Sequence, residues 1–231
     1  MKFIKKTSNQ HMKSRVSMIG KFDWRLMMGY CLLLSWFFGF AIIVGINSGC
    51  LYHLCVLGLH LNQQFHVSTR VLMDNFHQMV TYIQFPWKNQ MNLHFYRLSP
   101  AAQSHFYDVK QLVEKIELVF LLLSSWLAWA CFKQKIYRQI WRLESLLDVT
   151  MIVIGVISFF LLLDFQDCFI YFHRLIFQRQ TWIFNPQIDP IINVLPDQYF
   201  GAAFALVVVT FLGGLLSLRL VGYYQLKKTS S

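Results

Sequence analysis

The chain has 231 residues, 56% hydrophobic and 17% aromatic, and only 14% of it is charged. A soluble domain carries about 25% charged residues, so an ordinary soluble enzyme is excluded and a polytopic membrane protein is expected. The formal charge of +10 would suit nucleic acid if it were gathered on a folded surface; here it flanks apolar runs, the pattern that orients a protein in a bilayer.

Residues 1–25 form a basic arm with Lys2, Lys5, Lys6, Lys13, Arg15, Lys21 and Arg25. It resembles the leader of a secretory signal. However, the uncharged run behind it, 26–46, is longer than a signal's apolar region, and no A-x-A site follows. Its 21 residues match the roughly 20 that a helix needs to cross a ~30 Å hydrocarbon core, so it is read as a retained first crossing. Within 47–111, Leu72, Phe76, Met79, Val80 and Ile83 recur at helical spacing. They predict an amphipathic helix on the membrane or under a cap. Phe85-Pro86-Trp87 ends it, since proline removes a donor and stops a helix. Ser99-Pro100 marks the next start, an N-cap followed by proline at the first helical position. That helix runs into a second crossing at 112–132, with Glu114, Lys115 and Glu117 in its first turns, at the headgroups or covered by protein. A third crossing spans 146–163, with Asp148 near one end and Asp164 at the other. The fourth, 199–218, is closed by Arg219, and its Gly201, Ala202, Ala203 and Gly213-Gly214 allow close helix packing. Residues 223–231 are read as a short tail.

Fourteen of the 21 Lys and Arg residues fall on one side: the seven of the arm, Lys133, Lys135, Arg138 and Arg142 in the second loop, and Arg219, Lys227 and Lys228 near the C-terminus. By the positive-inside rule that side is cytoplasmic. Both termini are then inside, and 47–111 and 165–198 are outside. All five prolines lie in those outer segments. Irregular backbone at a membrane is tolerated only where water or protein satisfies it. The predicted fold is therefore an all-α membrane protein. It has four transmembrane helices, an extracytoplasmic cap formed by the first and third loops, and one membrane-embedded domain over 26–222.

Two stretches carry candidate chemistry. In the first, His105 and Asp108 are three residues apart and share a helix face, so Asp108 is a candidate to hold His105 in one tautomer as an orienting carboxylate does. The same spacing also fits a surface helix whose His and Asp are merely solvated. In the second, His173 follows the third crossing among Phe169, Tyr171 and Phe172, on the same side of the membrane and at similar depth. His11, His53, His60, His66, His77 and His94 are expected as interfacial polar residues. The five cysteines show no CxxC spacing; Cys50 or Cys55 can meet Cys168 outside, though nothing requires it. No HExxH or similar spacing signals a metal, and no G-x-S-x-G elbow signals a serine nucleophile.

Together the stretches LSPAAQSHFYDVKQL and FHRLIF…TWIFNPQIDPIINVLPDQYF resemble the bacterial lipoprotein intramolecular transacylase family. The order of these boxes and the four-crossing layout match over about residues 26–222. The resemblance implies an acyltransferase of the bacterial plasma membrane, multi-pass, with both termini cytoplasmic and an extracytoplasmic active site. The resemblance implies that the enzyme moves the sn-2 acyl chain of a diacylglyceryl-cysteine lipoprotein onto the α-amine of that cysteine, giving the lyso form, and that the 26–222 domain is catalytic. It implies His105 and His173 as catalytic residues, with no cofactor and no metal. The expected partners are the diacylated lipoprotein and membrane lipid, with no nucleic acid, and the expected state is a monomer. Phe106, Tyr107, Phe172, Trp182, Phe184 and Asn185 are expected to wall the substrate pocket. One departure stands out: Arg179-Gln180 occupies the place where the family pattern has an Asn-Asp pair. Two other readings of the residues stay open, a non-catalytic membrane protein whose cap binds a lipid or partner, and a metal-dependent lipid hydrolase.

Overall fold

The structure, a computed structural model, describes residues 24–94, 96–133 and 137–229. Most of the basic arm, Lys135 of the second loop and the end of the tail lie outside these described residues. Among them the chain is helical without strands: α1 (Trp24–Ile46), α2 (Gly49–Gly58), α3 (Leu61–Gln64), α4 (Thr69–Gln84), α5 (Pro100–Phe132), α6 (Glu144–Leu163), α7 (Phe165–Ile176) and α8 (Asp197–Thr229). Short 3-10 turns cover Tyr137–Leu143 and Pro190–Val194.

Among the described residues four helices are long and apolar enough to cross a membrane, at Trp24–Ile46, Pro100–Phe132, Ile140–Leu163 and Asp197–Lys227. The 33 residues of α5 rise about 50 Å at 1.5 Å each, well beyond a ~30 Å core. The turns from Pro100 to Gln111 therefore project past the apolar part that begins near Leu112. The α1 and α8 helices meet at glycines: a Cβ on Gly45 would come 2.6 Å from Val207, and one on Gly214 would come 2.2 Å from the Phe37 ring. Around this crossing Tyr30, Ala41, Leu143, Leu147, Phe211 and Leu215 form the core of the base. Polar bonds also tie the base together. Tyr30 shares a hydroxyl contact with Thr150 at 2.6 Å, Trp36 donates to Ser124 at 2.8 Å, and Arg219 pairs with Asp148. Past Leu218, α8 stays helical to Thr229, with Gly222 close against Trp141.

At the other end the two loop segments share one apolar core. Tyr52, Val56, Leu72, Phe76 and Phe106 come from the first, and Ile191, Val194, Leu195 and Tyr199 from the end of the second and the start of α8. Tyr52 stacks on Phe76 at 4.5 Å and donates to the Val194 carbonyl at 2.8 Å. All five apolar positions of the predicted amphipathic helix are buried in α4, which packs within the cap against α2 and α5.

Polar side chains tie α5 to the end of α4 and the turn after it. The last carbonyls of a helix lack intrahelical donors. The buried Lys110 ammonium donates to one such carbonyl, that of Tyr82 in the last turn of α4, at 3.0 Å, to that of Phe85 just past the helix at 2.6 Å and to that of Lys88 in the following turn at 2.8 Å. Glu114 lies 3.4 Å from the same ammonium, and Gln84 donates to Glu117 at 2.9 Å. All five cysteines are free thiols, so the bridge from Cys50 or Cys55 to Cys168 is not made.

Candidate active site

His105 stands on the second turn of α5. Ser99 caps this helix, its hydroxyl oxygen accepting from the Ala102 N–H at 3.1 Å. His173 stands on α7, which starts directly after α6 through Asp164, whose side chain accepts from the Asp167 N–H. Four-residue spacing puts Phe169, His173 and Phe177 on one face, while Tyr171, Phe172 and Leu175 stay exposed on the others. Both histidines are buried, at 7% and 8% exposure, and their ring centroids are 5.7 Å apart.

Aromatic rings enclose the pair. Phe177 lies 4.9 Å from His105 and 5.5 Å from His173. Phe184 lies 5.6 Å from His105, Trp182 5.1 Å from His173, and Phe169 4.0 Å from His173. Phe106 reaches Phe184 at 5.9 Å. Helix α8 backs the site through Phe200, 5.3 Å from Phe169.

The hydrogen bonds give the two rings different states. His173 Nδ1 is 2.7 Å from the Phe169 carbonyl oxygen. A carbonyl only accepts, so Nδ1 carries the proton, and in the neutral ring Nε2 is left with a lone pair. His105 Nδ1 is buried and has no hydrogen-bond partner among the described residues. Burial pushes the His105 pKa down to about 4, with the nearby His173 adding to the effect. Burial also lowers that of His173, against an opposing contribution from the Phe169 carbonyl. Both imidazoles are therefore uncharged at neutral pH.

Several expected site residues lie elsewhere. Asp108 is not hydrogen-bonded to His105 Nδ1; the ring turns into Phe177 and Phe184 rather than toward its neighbour on the helix surface. Tyr107 is 52% exposed, because two residues along a helix is about 200° of rotation. Phe172 meets His173 edge-on at 5.4 Å but is half exposed on the outer face of α7. Asn185 is exposed and caps its own turn, accepting from the Gln187 N–H at 2.9 Å. Phe106, Trp182 and Phe184 do join the cluster. Phe169 and Phe177 were not predicted as pocket residues, although their spacing of four on either side of His173 was the available signal. Arg179 and Gln180 lie exposed on the turn that leads to Trp182.

Residues 26–200 match the family described as lipoprotein intramolecular transacylase Lit. The chain belongs to this Lit family. It is accordingly an acyltransferase of lipoproteins within the membrane. The fold agrees: an in meso structure of the membrane integral lipoprotein intramolecular transacylase Lit from Bacillus cereus is similar, with a TM-score of 0.74 and 21% identity, over 96% of this chain and 99% of that one. Two further structures of the Bacillus cereus protein, each carrying a histidine substitution, match at TM-scores of 0.70 and 0.67, also at 21% identity; they cover 100% and 98% of this chain and 99% of each of theirs. No curated protein matches the chain by sequence.

Proposed function

We propose that this Lit-family chain transfers the sn-2 acyl chain of a diacylglyceryl-cysteine lipoprotein to the cysteine's α-amine at the His105–His173 pair. The observation that carries this reading is the pair itself, two buried uncharged imidazoles 5.7 Å apart inside an aromatic wall.

His173 acts as the general base. Its Nδ1–H is committed to the Phe169 carbonyl, which aims the basic Nε2 at substrate. An α-ammonium has a pKa near 8, so about a tenth of the amine is free at pH 7 and an uncharged imidazole can accept the proton of the rest. The amine attacks the sn-2 ester carbonyl and forms a C–N bond. His173 Nε2 takes the N–H proton and returns it to the sn-2 oxygen as the C–O bond breaks. His105, neutral and without a protein partner at Nδ1, hydrogen-bonds the transient oxyanion. Amine and ester belong to one molecule, so the site's task is to fold the lipid back on itself. Such proximity supplies roughly 7–11 kcal/mol of barrier reduction. Phe106, Phe169, Phe177, Trp182 and Phe184 exclude water while this happens.

In this reading both termini are cytoplasmic and the cap is outside, as the distribution of Lys and Arg supports, and the protein works as a monomer. The test is mass spectrometry of a lipoprotein N-terminal peptide from membranes holding wild-type, His105→Ala or His173→Ala protein. Conversion to the lyso form is expected only with wild type. Full conversion by either variant would overturn the assignment.

A further inference from the structure

Asp189 takes no part in the chemistry above, yet it is among the most buried charged residues, at 3% exposure. Its two carboxylate oxygens accept from one residue, Oδ1 from the Ser99 N–H at 2.7 Å and Oδ2 from the Ser99 hydroxyl at 2.8 Å. Ser99 is the N-cap of α5, and His105 lies six residues on, about 9 Å along the helix. The carboxylate thus sits at the positive end of the helix that carries His105, where an anion is favoured.

The other side of Asp189 is the loop that walls the site. Its N–H donates to the Asn185 carbonyl at 2.7 Å, and Ile188 donates to the same oxygen at 2.9 Å. Residues 185–189 are therefore one tight turn beginning directly after Phe184. Between α7 and the Pro190–Val194 turn there is no regular secondary structure. The loop's next side-chain bond to the first segment is Tyr52 to the Val194 carbonyl. Ser99 and Asp189, ninety positions apart in the chain, therefore join the two halves of the cap beside the histidines.

We propose that Asp189 is a positioning residue, clamping the loop to the start of α5 so that Phe184 and Trp182 stay closed over the His105–His173 pair. This rests on the transacylase reading, and the test separates the two. Full-length protein is purified in detergent and given a synthetic diacylated lipopeptide. Turnover, melting temperature and histidine titration by ¹⁵N NMR are measured for wild type, Asp189→Asn, Asp189→Ala, Ser99→Ala and the Ser99→Ala/Asp189→Ala pair.

With Asp189→Ala, kcat is expected to fall about tenfold to a hundredfold, the scale of a ~1 Å misplacement, with KM little changed. The His105 pKa should rise from about 4 as water enters. Asp189→Asn, whose amide oxygen still accepts one bond, should recover part of kcat. In kcat the double variant should fall no further than Asp189→Ala alone, because both changes break the Ser99–Asp189 contact, while its melting temperature should fall further, since Ser99→Ala also removes the cap on the Ala102 N–H. If Asp189→Ala does not fold, Asp189→Asn and Ser99→Ala decide the matter, since each keeps the Ser99 N–H bond. Wild-type kcat and His105 titration in these variants would overturn the proposal, as would a melting temperature that falls with no change in the titration. The titration does not depend on turnover. A wild-type protein that fails to convert the lipopeptide, while His105 still responds to Asp189, would sink the transacylase reading and leave the clamp standing.

Discussion

Lowering the pH from about 7.5 to about 4.5 is expected to destabilise the cap through its two buried imidazoles. A free imidazole titrates near 6.5, whereas burial holds His105 at about 4 and lowers His173 in the same direction. The folded value is the lower one, so the unfolded chain binds protons first as acid is added. The contribution is fully present above pH ~6.5 and is lost as the pH falls from there through about 4. For His105 the gap corresponds to roughly 3 kcal/mol, an upper figure because solvent near the cap screens part of it. The assay is the apparent melting temperature of the purified protein in detergent across this range, beside a His105→Gln/His173→Gln variant without the titrating rings. Wild type should lose stability more steeply than the variant. Parallel curves, or NMR titration of both rings at or above 6.5, would refute the burial argument and with it the neutral base at His173.

Lys110→Met removes the donor to three carbonyls. That of Phe85 keeps the Lys88 N–H at 3.0 Å, but that of Tyr82 faces Pro86, which has no N–H to offer. The expected cost is about 2–5 kcal/mol, read as a lower melting temperature and faster hydrogen exchange in α4. Phe177→Ala opens the wall over both histidines; turnover should fall and both imidazole pKa values should move up toward about 6.5, as followed by ¹⁵N NMR. Gly214→Val places a branched side chain where a single Cβ already meets the Phe37 ring at 2.2 Å. Overpacking of this kind costs about 1–3 kcal/mol and should lower the melting temperature, while Gly213→Ala, at a position with open space, should not.

The layers of this protein are written into single segments of its chain. Crossing length and hydropathy are properties of one segment against one solvent, so the four spanning helices were legible without any partner. Periodicity likewise reports a single helix against a single core, and each of the five apolar positions it picked out is buried in α4. Ser99-Pro100 was readable as a helix start because a cap acts within one turn. His105 and His173 stood out as candidates on one side of the membrane at similar depth, and the boxes around them resemble those of a known family.

Tertiary structure decided which side chains meet. The His105–Asp108 spacing was local, and it misled, because rings from α7 and the following loop set the orientation of His105. Phe177 joins the site only when α7 is laid against α5. The Lys110 clamp and the Asp189–Ser99 contact span 22 to 28 and 90 positions, and no local pattern records such distances. These buried charges are tolerated because each finds hydrogen-bond partners once the chain has packed. Their partners, and therefore the geometry of the histidine pair, exist only in the folded cap.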